Sequence, residues 1–206
     1  LREARSGAVW AGNSGGGLVR VAGEEVTVLT TRDGLPSDEV SSLLEDPDGT
    51  LWIATSRGLA RRTPDGTLEA VAIPGAPSER LRGLSRGSDG ALWVGSDAGV
   101  ARWQDGSTRL VRAADGLASE KVHTLEADRD GNVWAATAAG LCRIGASGAP
   151  VECLAEDGPI SPAPIFPLVE DPDGDLWYGS AGGGLHRLSD SSIRVWGRPE
   201  GMPTNP

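Results

Sequence analysis

Short apolar runs of about five residues recur along the chain, each closed by a Gly-rich or Asp-Gly turn. Between Val40 and Ile73 four of them follow one another: Val40–Glu45, Leu51–Thr55, Gly58–Arg62 and Leu68–Ile73. Apolar and polar residues alternate within them. Val40, Ser42 and Leu44 share one face of the first, and Leu51 and Ile53 lie opposite Trp52 and Ala54 in the second. A period of two over runs this short predicts half-buried or buried strands. The intervening turns carry their own chemistry. Asp46-Pro-Asp-Gly49, Gly87-Ser-Asp-Gly90, Asp128-Arg-Asp-Gly131 and Asp171-Pro-Asp-Gly174 join first to second strands. In such turns Pro presets φ, Asp bonds back to the backbone, and Gly accepts positive φ. No stretch keeps a helical period over three turns.

The four-strand pattern repeats. Trp10, Trp52, Trp93, Trp134 and Trp177 each follow an apolar residue and lead into small residues and a Gly-rich turn, at spacings of 42, 41, 41 and 43. A period of about forty residues built of short strands is the mark of a propeller blade. The expected fold is all-β: one propeller region over 1–206, with five four-stranded antiparallel blades at about 1–39, 40–80, 81–121, 122–163 and 164–206. The same four-part reading fits 81–113, 122–155 and 165–196. Leu1 aligns with Leu43, inside a first strand, and Gly201–Pro206 aligns with Gly34–Glu39. The expectation is a piece of a larger propeller. The repeated indoles are expected to pack between blades. Trp103 and Trp196 fall off the pattern, toward the outer edge of their blades, where core or rim packing is still favoured.

Two features break the regularity. The fifth unit opens with Gly158-Pro-Ile-Ser-Pro-Ala-Pro-Ile-Phe-Pro167, which has four prolines, and it carries one extra residue before its tryptophan, Gly158 standing 19 positions ahead of Trp177 where Gly34 stands 18 ahead of Trp52. Proline removes a ladder donor, so this strand should be shortened or bulged. The only cysteines, Cys142 and Cys153, flank a turn at 145–150. If Ile144 pairs with Val151, Cys142 falls opposite Cys153. A cross-strand disulfide and two small buried thiols are then both open, since matching positions elsewhere hold Val19, Ala60 and Ala101.

Charge narrows the function. Nineteen basic and 29 acidic residues leave a net charge of −10, and no basic stripe is interleaved with aromatics. Nucleic-acid binding is not expected. No apolar run approaches the roughly 18 residues needed to cross a bilayer, so no membrane contact is expected from this segment.

The repeat also resembles a known family. Asp33-Gly-Leu-Pro-Ser-Asp-Glu-Val40 with Leu44-Glu-Asp-Pro-Asp-Gly-Thr-Leu-Trp-Ile-Ala-Thr55 and Gly58-Leu-Ala-Arg61 is similar to the two-component regulator propeller repeat. So are Asp115-Gly-Leu-Ala-Ser-Glu-Lys-Val122, Asp130–Thr137 and Gly140-Leu-Cys-Arg143. The third repeat lacks the Asp-Gly-Leu-Pro opening and has Gly75-Ala-Pro-Ser78. The resemblance implies a periplasmic sensor module, in a propeller that is usually seven-bladed. Beyond it would lie a β-sandwich, a membrane span and a kinase or cyclase output. Implied partners are a small polar ligand such as a carbohydrate fragment, or a peptide, the downstream domains, and a second receptor in a homodimer. Two other readings stand beside this one. Lyases that inactivate streptogramin antibiotics have similar short repeats, and a scaffold without a small ligand would use the same fold.

No catalytic constellation is legible. His123 in a first strand and His186 in a third have no nucleophile or orienting acid assignable from spacing. Counting from Asp46, Asp128 and Asp171, the twelfth residues of a calcium loop would be Arg57, Ala139 and Gly182, none of them a ligand. No metal and no cofactor is expected. The better candidates are two loop sets that should open on one face near the channel. Fourth-to-first connections supply Ser37, Asp38, Glu39, Arg80, Glu120 and Lys121; second-to-third turns supply Asn13, Arg57 and Asp97; His123 follows closely. Hydroxyls, carboxylates and cations around a funnel suit a polyhydroxyl ligand or a peptide.

Overall fold

The alternating runs become strands because each can bury one face only against another sheet. The computed structural model describes residues 1–154, 165–180, 183–189 and 192–196. These form five four-stranded antiparallel sheets, each in sequence order. Blade 1 is β1 (Arg2–Glu3), β2 (Val9–Gly12), β3 (Leu18–Ala22) and β4 (Glu25–Leu29). Blade 2 is β5 (Val40–Glu45), β6 (Leu51–Thr55), β7 (Gly58–Arg62) and β8 (Leu68–Val71). Blade 3 is β9 (Gly83–Arg86), β10 (Leu92–Ser96), β11 (Gly99–Gln104) and β12 (Ser107–Val111). Blade 4 is β13 (Val122–Ala127), β14 (Val133–Thr137), β15 (Gly140–Ile144) and β16 (Val151–Cys153). Blade 5 is β17 (Ile165–Glu170), β18 (Leu176–Ser180), β19 (Gly184–Ser189) and β20 (Ser192–Trp196). The expected strands of blade 2 agree with these to within two residues, and the expected spans 81–113, 122–155 and 165–196 enclose the four strands of blades 3, 4 and 5. Among the described residues no helix is long and apolar enough to cross a membrane.

The core is not one cluster but a series of seams between consecutive blades. Trp10 packs with Leu35, Val40 and Ile53 of blades 1 and 2. Trp52 packs with Leu81, Leu84 and Leu92 across the next seam, and Trp93 with Val122, Leu125 and Val133 across the third. Ala136 and Leu141 meet Ile165 and Tyr178 across the fourth. Burial of the repeated indoles is uneven. Trp10, Trp52 and Trp93 are 5, 5 and 0 % exposed, whereas Trp134 and Trp177 are half-buried. The uniform inter-blade packing expected of all five is thus weaker at the last two. Trp103, off the pattern, sets its edge on Trp52 at 6.1 Å and 78°. The side chain of Trp196 lies outside the described residues.

The Asp-Gly turns do more than reverse the chain. Their glycines hold φ between +83° and +96° at Gly49, Gly90, Gly131 and Gly174, a region costly for other residues. Their first aspartate accepts the indole N–H of the following strand: Trp52 Nε1 donates to Asp46 at 2.7 Å, Trp134 to Asp128 at 3.0 Å and Trp177 to Asp171 at 2.7 Å. At Trp93 the corresponding residue is Gly87, and the buried N–H meets no acceptor among the described residues.

Two expectations about irregularity resolve differently. β17 does carry a register shift, between Ile165 and Leu168. It is not peculiar to the proline-rich unit, because β5 shifts between Val40 and Ser42 and β13 between Val122 and Thr124. The bulge is a recurring device of the innermost strand. The prolines at 159–164 lie outside the described residues. The cysteine question closes on the disulfide: Cys142 and Cys153 are opposed in β15–β16 and bonded.

Candidate functional site

The residue left over at each bulge has no register partner in the ladder. Ser41 occupies it in β5 and His123 in β13. One period between them stands Arg82, immediately before β9, whose N–H donates to Gly95 O at 2.8 Å. The sequence reading passed over Arg82, although its spacing of 41 from both neighbours was a usable signal.

The two expected loop sets do converge on this end, and they are laced together by backbone hydrogen bonds. Gly15 and Gly17 N–H donate to Asp38 O at 3.1 and 2.9 Å, and Val40 N–H donates to Asn13 O at 3.0 Å. Arg80 N–H donates to Ser56 O, Gly99 N–H to Glu120 O, and Ala138 N–H to Lys121 O, at 2.8–2.9 Å. Each of the three fourth-to-first connections among the described residues is therefore fixed by a second-to-third turn beside it.

Within that frame the candidates separate. Ser37 is buried and shares a 2.9 Å hydrogen bond with Ser56 Oγ, so it braces the loop. Asp38 spends a carboxylate oxygen on Thr31 N–H at 2.6 Å. Asn13 acts through its backbone. Arg57 and Glu120 are exposed. Glu39 and Arg80, by contrast, line a recess of about 250 Å³ with Ser14, Ser41, Ser56 and Arg82. Arg80 holds φ at +51°, a strained value for a non-glycine residue at the rim.

Arg82 leads from this recess to the remaining candidates. Its Nε donates to Asp97 Oδ1 at 2.5 Å and its Nη2 to Oδ2 at 3.3 Å. Arg80 Nε lies 3.8 Å from the same carboxylate. The hydrogen bond from Arg82 holds Asp97 below the usual carboxylate range, helped by the charges of Lys121 and Arg80. His123 is pushed down, first by burial and then by the positive charges of Arg82 and Lys121, with Asp97 opposing. At neutral pH its imidazole is therefore neutral. The arrangement offers a carboxylate, hydroxyls and two guanidinium groups at the recess, with a neutral imidazole nearby. His186 belongs to another environment: it is buried in blade 5, stacks on Tyr178 at 4.6 Å and shares a 2.7 Å hydrogen bond with Ser180. Among the described residues no group of three or more His, Cys, Asp or Glu side chains is placed to hold a metal ion.

A second cavity, of about 320 Å³, lies between the innermost strands of blades 1 to 4, lined by Arg2, Ser42, Ser85, Arg86, Thr124 and Glu126 among others. Burial pushes the Glu126 carboxyl up to about 7, opposed by a hydrogen bond from the Glu170 backbone and by the charge of Arg2, with the Glu170 carboxylate adding a smaller rise. The folded state thus holds a proton that the unfolded chain has lost, and stability falls as pH rises from about 4.5 to about 7. Glu126→Gln should stabilise the fold at pH 8 and leave it unchanged at pH 4. The gain should be about 1–2 kcal/mol, discounted from the roughly 3 that the shift implies because the cavity admits water. Urea denaturation at the two pH values measures it; an equal effect at both would exclude titration of Glu126 as the cause.

Known proteins bear on this geometry in three ways. Residues 34–57 and 116–139 match the family model described as two component regulator propeller. Among solved structures, the extracellular domain of the hybrid two component system BT3049 from B. thetaiotaomicron is similar at 18 % identity and a TM-score of 0.85. The alignment covers 98 % of this chain and 29 % of that one. The corresponding domain of BT4673 from the same organism gives 21 % identity, a TM-score of 0.78, and 96 and 31 % coverage. Virginiamycin B lyase from Staphylococcus aureus gives 18 %, 0.78, and 95 and 68 %. At these identities the structures establish the fold alone, and the chain spans less than a third of the two receptor domains. No match among curated proteins reaches significance. With repeats of one kind in two of five like-built blades, the chain is a propeller carrying two-component regulator propeller repeats.

Proposed function

We propose that this propeller is a non-catalytic sensing module of a bacterial signalling receptor, and that it takes a small polar ligand such as a carbohydrate fragment in the recess beside Arg82. The observation that carries this reading is the recess itself. Glu39, Ser41, Ser56, Arg80 and Arg82 converge there from neighbouring blades, on loops held rigid by backbone hydrogen bonds. Acceptors and donors fixed on a rigid frame favour a polyhydroxyl ligand without costly ordering on binding. The matched repeats and the receptor-domain likeness support placing the module outside the cytoplasmic membrane, in the periplasm. The reading extends to a larger, seven-bladed parent ring with downstream signalling domains, working as a dimer.

Calorimetry with neutral and acidic oligosaccharides of two to six units tests the reading. Binding should weaken at least tenfold in Arg82→Ala and in Glu39→Gln. Heats unchanged by either substitution would move the ligand elsewhere, and no heat from any sugar would leave a scaffold as the better account. The likeness to virginiamycin B lyase favours one alternative, a lyase acting near the channel. It requires metal-dependent streptogramin turnover that disappears in His123→Ala; the sensing reading requires no turnover above buffer.

A further inference from the structure

One cross-strand pair recurs in every blade, a tryptophan of the second strand opposite an arginine of the third: Trp10 with Arg20, Trp52 with Arg61, Trp93 with Arg102, Trp134 with Arg143 and Trp177 with Arg187. In four blades a guanidinium lies over the indole. Arg20 and Arg62 sit 5.9 and 5.3 Å from the Trp10 ring, Arg86 5.8 Å from Trp52, Arg102 5.9 Å from Trp93 and Arg187 5.7 Å from Trp177. Trp134 has no such cover among the described residues. Its cross-strand neighbour Arg143 is exposed and stands on a cavity wall instead. In blade 2 the covering residue is Arg86, the last of the next blade's first strand. The last residue of the corresponding strand beside blade 4 is Glu170. A carboxylate, itself ion-paired with Arg129 at 3.2 Å, thus stands where the seam between blades 2 and 3 supplies a cation.

The consequence is a cavity of about 480 Å³ between blades 4 and 5, walled by Trp134, Asp128, Asp130, Glu152, Glu170 and Arg143. It opens by the first-to-second turns, at the end of the strands opposite the Arg82 recess. Asp128 holds the indole by its N–H edge at 3.0 Å, so the ring is oriented while its face is left half-open. Arg143 and Glu152 are opposed in the β15–β16 ladder, one register step from the Cys142–Cys153 bridge, which keeps that wall in place.

We propose that this cavity docks an arginine side chain from a partner polypeptide, its guanidinium stacked on Trp134 and its N–H groups shared among the surrounding carboxylates. Glu170 is ion-paired with Arg129 at 3.2 Å and Asp128 is taken up by Asn132 and the Trp134 N–H, so Asp130 and Glu152, against Arg143, are the carboxylates left to meet a positive charge. The occupants of the equivalent position in the other blades are all arginines, whose planar group stacks and forks where an ammonium does not. A neutral sugar would gain from the indole but bring no charge to Asp130 and Glu152.

The test titrates the chain with acetyl-Gly-Arg-Gly-Arg-Gly-amide and with its citrulline twin, read by calorimetry and indole fluorescence. The arginine peptide should bind at least tenfold more tightly than the citrulline peptide, and more weakly as salt rises. Asp130→Asn combined with Glu152→Gln should lower that affinity about tenfold, and Trp134→Phe, which keeps a ring in the seam, several-fold. Arg143→Ala should leave it equal or tighter. Equal binding of the two peptides, binding indifferent to the carboxylate pair, or no binding up to millimolar peptide would each overturn the proposal. So would a neutral oligosaccharide that quenches Trp134 where the arginine peptide does not.

Discussion

Trp93→Ala is expected to destabilise the fold by about 3–5 kcal/mol, the range for deleting a fully buried large aromatic. Trp93 is 0 % exposed and is the largest fully buried side chain among the described residues. It lies in the seam that joins Val100 and Val111 of blade 3 to Val122, Leu125 and Val133 of blade 4. In stacked repeats stability is carried by such nearest-neighbour seams, so the loss falls on the blade 3–4 contact as a whole. Against the usual 5–15 kcal/mol for a domain, this is a large fraction. Urea denaturation of both proteins measures it, and a loss under 1 kcal/mol would mean that the indole does not carry the seam. Trp93→Phe makes the sharper comparison. The Trp93 N–H already lacks an acceptor because Gly87 replaces the turn aspartate, so phenylalanine removes an unmet donor along with some area. Trp52→Phe instead breaks a 2.7 Å bond and leaves the Asp46 carboxylate short of a donor. Trp52→Phe should therefore cost more than Trp93→Phe, despite the deeper burial of Trp93.

Removing the disulfide should cost about 3 kcal/mol. The bridge spans a sequence separation of 11, and closing a loop of that size lowers unfolded-chain entropy by roughly this amount in the chain-entropy picture. Its position explains why blade 4 has it. In blades 1 to 3 the equivalent pairs are Val19 with Val28, Ala60 with Ala70, and Ala101 with Leu110, apolar contacts in ladders of four or five residues. In blade 4 the fourth strand is only Val151–Cys153. A covalent tie stands in for ladder that is missing. The double variant Cys142→Ala, Cys153→Ala should melt about 6–12 °C lower. Dithiothreitol should bring the native protein to the same midpoint and leave the variant unmoved. A variant midpoint within 2 °C of the native one would show that packing alone holds the blade edge.

The strands, the turns and the blade count were readable along the chain, because each rests on local rules: alternation for strands and Asp-Gly for the reversals. The five indoles at a spacing near 41 marked the unit that recurs. The disulfide was legible only as one of two outcomes, since register decides it and register depends on where the turn at 145–150 closes. The bulge was expected in one strand for its prolines and occurs in three, at Ser41 and His123 as well, where no proline signals it. Strand identity was thus open to inspection, while the residue expelled from the ladder was not.

What the order of residues determined by itself is a set of near-equivalent sheets that must lean on each other, because no blade can cover its own two faces. What only the folded arrangement decided is which departures from equivalence meet in space. Arg82 joins Asp97 from a turn of the same blade and Arg80 from the connection before it; Glu170 and Trp134 wall one cavity in the seam of blades 4 and 5, whereas Arg86 covers Trp52 in the seam of blades 2 and 3. Those encounters link residues on different elements, and their energies depend on distance and burial, which repeat spacing does not encode.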